Sequence, residues 1–366
     1  MSERKIILPK NVMDTLRSVT MTEGEKNIVE LEMVQELRIV GQKVSFSLVF
    51  QRSDEPDQKE LIETCEKALT KEYGDMELIV TPKYLHSMSR PILPNVKNII
   101  AVASGKGGVG KSTVSVNLAV ALANTGAKVG LIDADIFGPS IPKMFGAENE
   151  KPSSVEFDGK NYIVPVERYG VKMLSIGFFV EPQSALVWRG PMASNALKQL
   201  IVDGNWGELD YLLIDLPPGT SDIHLTLMQT VPVTGAVIVS TPQSVALIDV
   251  VKGINMFRSE GVNVPILGLV ENMSWFTPAE LPDNKYYIFG KEGAKELAER
   301  LDISLLGQLP LVMGIREGGD DGIPVSSNEE LVSYKYFAEL SHNLIKAIDE
   351  RNTLYGKTEK IHTKKK

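Results

Sequence analysis

Residues 105–113 read Gly-Lys-Gly-Gly-Val-Gly-Lys-Ser-Thr. They follow the apolar run Ile99–Ala103 directly and lead straight into a helical pattern, so the chain passes from strand to glycine loop to helix. In that setting Gly105, Gly107, Gly108 and Gly110 let backbone N–H groups turn toward a triphosphate, with Val109 and Thr113 in the same cradle. The helix that follows presents its positive end to the same anion. Lys111 is placed to neutralise the β- and γ-phosphates, and Ser112 to put a hydroxyl on Mg2+. A flexible turn does not explain a lysine and a hydroxyl at these fixed offsets.

Beyond the loop, apolar strand candidates alternate with helices: Val129–Ile132, Tyr211–Ile214, Ala236–Ser240, Ile266–Val270 and Ser304–Gln308. Continuous Val/Ile/Leu runs of this kind predict a mostly parallel, doubly wound α/β sheet covered on both faces, a P-loop NTPase architecture. Its first helix, Lys111–Asn124, is followed by Gly126 as a C-terminal cap. Its last is read over Asn328–Arg351, amphipathic but richer in acids than in bases. Upstream, residues 88–97 hold two prolines and read as a linker. Residues 1–87 read as a small α+β domain, with strands at Val29–Ile39, Val44–Val49 and Glu77–Val80. Its helix, Asp57–Tyr73, carries Leu61, Ile62, Cys65, Ala68 and Leu69 on one face. The large domain is then 98–352, and 353–366 form a basic flexible tail.

Composition narrows the class. The 366 residues are 43% hydrophobic and 23% charged, as in soluble globular proteins. A net charge of −8 argues against nucleic acid and against an anionic membrane surface as partners. No apolar run approaches the length of a membrane helix, and Met1–Lys10 has no signal-peptide core, so a cytoplasmic protein is expected. A single cysteine, Cys65, excludes an intrachain disulfide and a C-x-x-C metal site within one chain. Its place on an apolar helix face reads as structural.

Three more segments fall at strand ends, where an open α/β sheet holds its ligand. Asp133-Ala-Asp135 follows Val129–Ile132, and a carboxylate there holds Mg2+ through water or orients the attacking water. Asp215-Leu-Pro-Pro-Gly219 follows Tyr211–Ile214; Asp215 reads as an outer-sphere Mg2+ partner, and the Gly219 N–H as a donor to a γ-phosphate. Glu271-Asn-Met-Ser274 follows Ile266–Val270, and the Asn272 amide can bond both edges of adenine, which favours ATP.

The second lysine of the loop, Lys106, resembles that of the deviant P-loop family that contains MinD, ParA, ArsA and the nitrogenase iron protein. The resemblance implies a homodimer in which Lys106 reaches the partner's nucleotide, and a hydrolytic role for Asp135 beside Lys111. Trp188-Arg-Gly-Pro191, Asp210–Thr220, Glu271–Ser274 and Ile315-Arg-Glu-Gly-Gly-Asp320 look like the Mrp family of ATP-binding iron–sulfur cluster carriers, and the match covers residues 1–350, with residues 1–87 resembling the iron–sulfur-assembly domain of that family. It implies slow ATP hydrolysis, and iron–sulfur assembly proteins and apoprotein clients as partners. That family places C-P-x-C shortly after E-N-M-S, each subunit giving two thiolates to a shared cluster. Here the stretch reads Ser274-Trp-Phe-Thr-Pro-Ala-Glu-Leu-Pro282, with Thr277 and Glu280 where the cysteines fall. No cluster ligand is identified in this chain, since such clusters are held chiefly by Cys thiolates. The alternatives are a MinD/ParA-type switch that positions a partner, and a nucleotide-driven carrier of a different cargo.

Overall fold

The computed structural model describes residues 7–20, 27–31, 33–52, 58–74, 76–86, 92–157, 159–179, 190–260, 262–278 and 280–355. The chain divides into two compact units, Met1–Pro91 and Ile92–Lys366. Residues 88–91 of the expected linker and 356–366 of the expected tail lie outside the described residues.

The first unit runs α1 (Pro9–Leu16), β1 (Val34–Val40), β2 (Lys43–Arg52), α2 (Gln58–Tyr73) and β3 (Glu77–His86). β2 is central, antiparallel to β1 and parallel to β3. Its alternate residues Val44, Phe46, Leu48 and Phe50 are buried with Leu61, Cys65 and Leu69 of α2 and with Val12 and Leu16 of α1. β1 starts five residues later than expected. The Asn27 side chain accepts the N–H groups of Val29 and Glu30, which turns that stretch into a local loop. β3 extends past Val80 through Pro82, which an edge strand tolerates because it need not donate on its open side.

The second unit runs β4 (Val96–Ala103), α3 (Lys111–Asn124), β5 (Val129–Asp133), α4 (Ile141–Met144), β6 (Ser153–Phe157), β7 (Lys160–Val164), β8 (Val166–Arg168) and β9 (Val171–Ser175). It continues with α5 (Gly190–Val202), β10 (Leu209–Asp215), α6 (Asp222–Thr230), β11 (Gly235–Ser240), α7 (Ser244–Arg258), β12 (Ile266–Glu271), α8 (Gly293–Arg300), β13 (Leu305–Gln308), α9 (Met313–Asp321) and α10 (Tyr334–Tyr355). Eight strands form one sheet in the order β13-β12-β11-β4-β10-β5-β9-β8, parallel except for β8 at the edge. Both faces are buried, and β4 shows it most plainly. Ile99, Ala101 and Ala103 enter one core cluster, and Ile100 and Val102 enter the other. The first residues of β4, Val96 and Lys97, fall inside the expected linker; Val96 pairs with Leu209 of β10.

Two differences from the sequence reading have local causes. α10 begins at Tyr334 rather than Asn328, because the Asn328 side chain accepts the Glu330 N–H and holds a turn there. The hairpin β6–β7 and the pair β8–β9 were not foreseen. Their short stretches alternate weakly, and β6 is exposed along its whole length. α10 lays Phe337, Leu340, Leu344 and Ile348 into the core, and no helix among the described residues is long and apolar enough to cross a membrane.

Cys65 is fully buried, and burial pushes its thiol up to about 12. At pH 8 the native protein should therefore not react with an aromatic disulfide reagent over minutes, while the chain in guanidinium releases one equivalent. Fast reaction of the native protein would show that α2 does not stay docked on its sheet.

Candidate functional site

The loop between β4 and α3 is shaped by close contacts. A Cβ added to Gly105 would sit 2.4 Å from the backbone carbon of Asp249, so α7 can approach only a glycine there. Gly110 has φ +81°, and a Cβ on it would lie 2.3 Å from the Asn272 amide. Lys106, Gly107 and Gly108 are exposed at the crest, Val109 is buried, and Ser112 and Thr113 are half-buried at the first turn of α3.

Beneath the crest lies a buried polar cluster. The Lys111 ammonium is 2.8 Å from Asp215 Oδ2, and the two side chains are 6% and 0% exposed. Ser112 Oγ donates to the same Oδ2 at 2.6 Å, and Ser115 Oγ donates to Oδ1 at 2.6 Å. The sheet brings these groups together because β10 lies beside β4, so Asp215, at the end of β10, faces the start of α3. Ser115 is part of the cluster although no motif marks it. Its only sequence signal is its position one helical turn after Lys111.

Asp133 ends β5 beside Asp215, with which it pairs across the two strands. Its carboxylate accepts the Asp135 N–H, the Ile141 N–H and the Ser175 hydroxyl, so it fastens the 134–140 loop to α4 and to the end of β9. Burial first, and the neighbouring Asp215 second, push its pKa up to about 8. That is a positioning role, different from the Mg2+ or water contact expected of a carboxylate there. Asp135 is half-buried; burial raises its pKa, and the Lys111 charge opposes the rise. It lines a cleft of about 840 Å3 with Phe137, Pro217, Pro218 and Ser221.

Two expected contacts are arranged differently. The Gly219 N–H donates to the Ser104 carbonyl at 3.0 Å, so it ties the 215–220 segment to the loop instead of facing a phosphate. Asn272 donates from Nδ2 to the Val109 carbonyl at 2.8 Å, bracing the loop from below. Glu271 accepts the Ala294 N–H at the start of α8 and the Gln308 amide of β13. Among the four histidines, His224 is fully buried and accepts the Ser221 N–H on Nδ1, completing the cap of α6. Trp188 and Arg189 lie outside the described residues.

Among the described residues no group of three or more His, Cys, Asp or Glu side chains is arranged to hold a metal. Mg2+ fits all the same, since it binds through one or two protein oxygens plus phosphates and water. Ser112 donates to Asp215 and accepts the Lys111 ammonium at 3.3 Å, which leaves a lone pair for such an ion, with Asp215 and Asp135 at hand for its water shell. An iron–sulfur cluster does not fit. Past Ser274, Phe276 and Tyr286 form an isolated antiparallel bridge with mutual N–H···O bonds of 2.8 Å, and the Leu311 N–H bonds the Trp275 carbonyl. Trp275 is buried, edge-on to Tyr336, with Lys285 Nζ 4.0 Å above its ring. Thr277 is half-buried and Glu280 is exposed at the tip.

The chain is similar to known proteins. The family model for the NUBPL iron-transfer P-loop NTPase matches residues 95–345, and that for an iron–sulfur cluster assembly protein matches residues 9–77. An iron–sulfur cluster carrier protein of Synechocystis is 45% identical over 339 residues, 91% of this chain and 96% of its own. A nucleotide-binding protein of Archaeoglobus fulgidus, solved with ADP, superposes with a TM-score of 0.57 at 39% identity, over 67% of this chain and 94% of that one. The cell division ATPase MinD of Pyrococcus furiosus shares the fold, with a TM-score of 0.50 at 24% identity, over 68% of this chain and 99% of its own.

Removing the buried cation tests the cluster. Lys111→Ala should weaken ATP binding, measured by calorimetry, about tenfold to a hundredfold, the worth of a charge-assisted contact. It should also lower the melting temperature of the ligand-free protein, because Asp215 keeps its burial and loses its counter-charge. Wild-type affinity in this variant would refute the phosphate-binding assignment.

Proposed function

The chain belongs to the NUBPL iron-transfer P-loop NTPase family, and we propose that it is a homodimeric, Mg2+-dependent ATPase that serves iron–sulfur cluster transfer, with the cluster ligands completed by a partner protein. The observation that carries this reading is the Lys111–Ser112–Asp215 cluster under the glycine loop, with Lys106 exposed on the crest above it. Lys111 turns from Asp215 to the β- and γ-phosphates, and Asp215 keeps the Ser112 proton so that the hydroxyl oxygen faces Mg2+. Asp135 orients the attacking water. Mg2+, when bound, offsets charge on the phosphates. Lys106, reaching into the partner's site, supplies a cation where charge builds up, an effect of about 10³–10⁵ in rate for comparable groups. Slow turnover follows when this cation arrives only with the dimer. Asn272 serves the nucleotide in this reading through the loop it braces, with adenine as the base beside it.

Cluster transfer fits the relatives and the assembly-type first unit, which we assign to docking of assembly partners and apoprotein clients. The chain itself brings little to the cluster. Its one thiol is buried, and Thr277 and Glu280 are harder ligands than thiolate. That favours, as a second reading, the same nucleotide cycle with a different cargo. A MinD-type membrane switch gains no support from α10, whose apolar face is spent on the core.

Two experiments test this. Lys106→Ala and Asp135→Ala should each keep ATP affinity and lose turnover. Mixed heterodimers should regain activity, since one site then combines an intact Asp135 with the partner's intact Lys106. No recovery in proven heterodimers would remove the trans role. Anaerobic reconstitution with iron and sulfide, read by absorbance and iron content, should leave the purified chain with far less than one [4Fe–4S] cluster per dimer. A full cluster that survives Cys65→Ala would overturn the partner-ligand proposal.

A further inference from the structure

We infer that Ser115 is a positioning residue that sets the orientation of the Asp215 carboxylate and thereby the metal affinity of the nucleotide complex. The inference rests on the proposed reading of Asp215 as the carboxylate on the Mg2+ side. Ser115 lies outside the glycine-loop motif, one turn along α3, and its side chain is fully buried. Its oxygen is within reach of two acceptors, Asp215 Oδ1 at 2.6 Å and the Lys111 carbonyl at 3.1 Å. One hydroxyl has one proton, and the shorter, charge-assisted bond to the carboxylate takes it.

The two oxygens of Asp215 are thereby divided. Oδ1 is pinned toward α3 by Ser115, which leaves Oδ2 to Ser112 and Lys111. Without the Ser115 hydroxyl, Oδ1 is a buried acceptor with no donor, in a place where Asp133 already stands alongside on the next strand. With Lys111 turned to the phosphates, the carboxylate relieves this by rotating Oδ1 toward the Ser112 hydroxyl. Rotation weakens the 2.6 Å bond to Oδ2 that draws the Ser112 proton away from the metal side. The ion then meets a hydroxyl whose proton is less firmly held back, and it binds more weakly. Nucleotide contacts made by the loop N–H groups are untouched, so affinity in the absence of metal should not change.

Mn2+ serves as the probe, titrated into the protein–ADP complex and followed by electron paramagnetic resonance, with ADP affinity measured separately in EDTA. Ser115→Ala should raise the Mn2+ dissociation constant about tenfold and leave ADP affinity in EDTA as in wild type. Ser115→Cys, which refills the space with a poor donor, should show the same loss. It also provides the readout if the alanine variant does not fold. Asp215→Asn is the reference and should weaken Mn2+ at least as much. Wild-type Mn2+ affinity in Ser115→Ala, or its return in Ser115→Cys, would overturn the positioning role, the latter by assigning the effect to packing. An Asp215→Asn protein that binds Mn2+ normally would instead overturn the reading of Asp215 on which the inference stands.

Discussion

The Lys111 ammonium and the Asp215 carboxylate are held together out of water, and the large unit is built around that pair. Taking two charges from solvent costs several kcal/mol per ion, and packed hydrocarbon often stabilises a fold as well as such a pair does. Stability alone gives little reason to keep it. The arrangement makes sense as a place prepared for phosphate: a cation fixed at the mouth of α3, where the helix end favours anions, and a carboxylate that satisfies it. The hydroxyls of Ser112 and Ser115 supply the remaining donors, so the carboxylate is fully bonded although buried. The sheet order follows from the same requirement. β10 has to lie beside β4 for Asp215 to reach across, and the two strands pair from Leu209 to Asp215.

The segments around this pair are tied to one another by backbone bonds. The Ala134 N–H reaches the Asp215 carbonyl, the Leu216 N–H reaches Val102, and the Gly219 N–H reaches Ser104. Asp133 adds a side-chain hub that joins the 134–140 loop to Ser175 at the end of β9. A shift of the 215–219 segment therefore changes a bond to Ser104 at the start of the glycine loop, and the 134–140 loop is linked to that segment through Ala134. That gives a nucleotide cycle a mechanical route outward to the cleft lined by Asp135, Phe137 and Pro218, with no need for a separate relay.

The contrast between what could and could not be read in advance follows sequence distance. Strand β4, the glycine loop and α3 were legible because the loop's chemistry requires their order, and α3 matches its expected span residue for residue. The parallel strands other than β9 were legible as apolar runs buried on both faces. The partners of single side chains were not. Asn272 turns to Val109, 163 positions away, and Glu271 turns to the start of α8. Asp133 ends up as a hub because β9, a strand that the apolar pattern did not announce, brings Ser175 alongside it. In the first unit the errors came from short polar side chains. Asn27 captures backbone N–H groups and delays a strand, a local competition that apolar periodicity does not register.

The stretch after Ser274 poses the same problem in reverse, since its likeness to a cluster-binding segment invites a ligand site that its residues do not build. The backbone there continues the β12–β13 edge: Leu309 N–H bonds Glu271, Ser274 N–H bonds Leu309, and Leu311 N–H bonds Trp275. Trp275 then anchors the segment in a buried contact with Tyr336, under the Lys285 ammonium. Edge-on aromatic pairs add about 0.5–1.5 kcal/mol beyond the area they bury. A cation over an indole ring adds about 0.5–1 kcal/mol at an exposed site. These contacts anchor the two sides of the Phe276–Tyr286 bridge without a metal. The segment is thus held by packing and backbone bonds, next to Asn272, which reaches the Val109 carbonyl. In the proposed reading, the ATP-dependent steps stay with this chain and the thiolates come from the partner that docks against it.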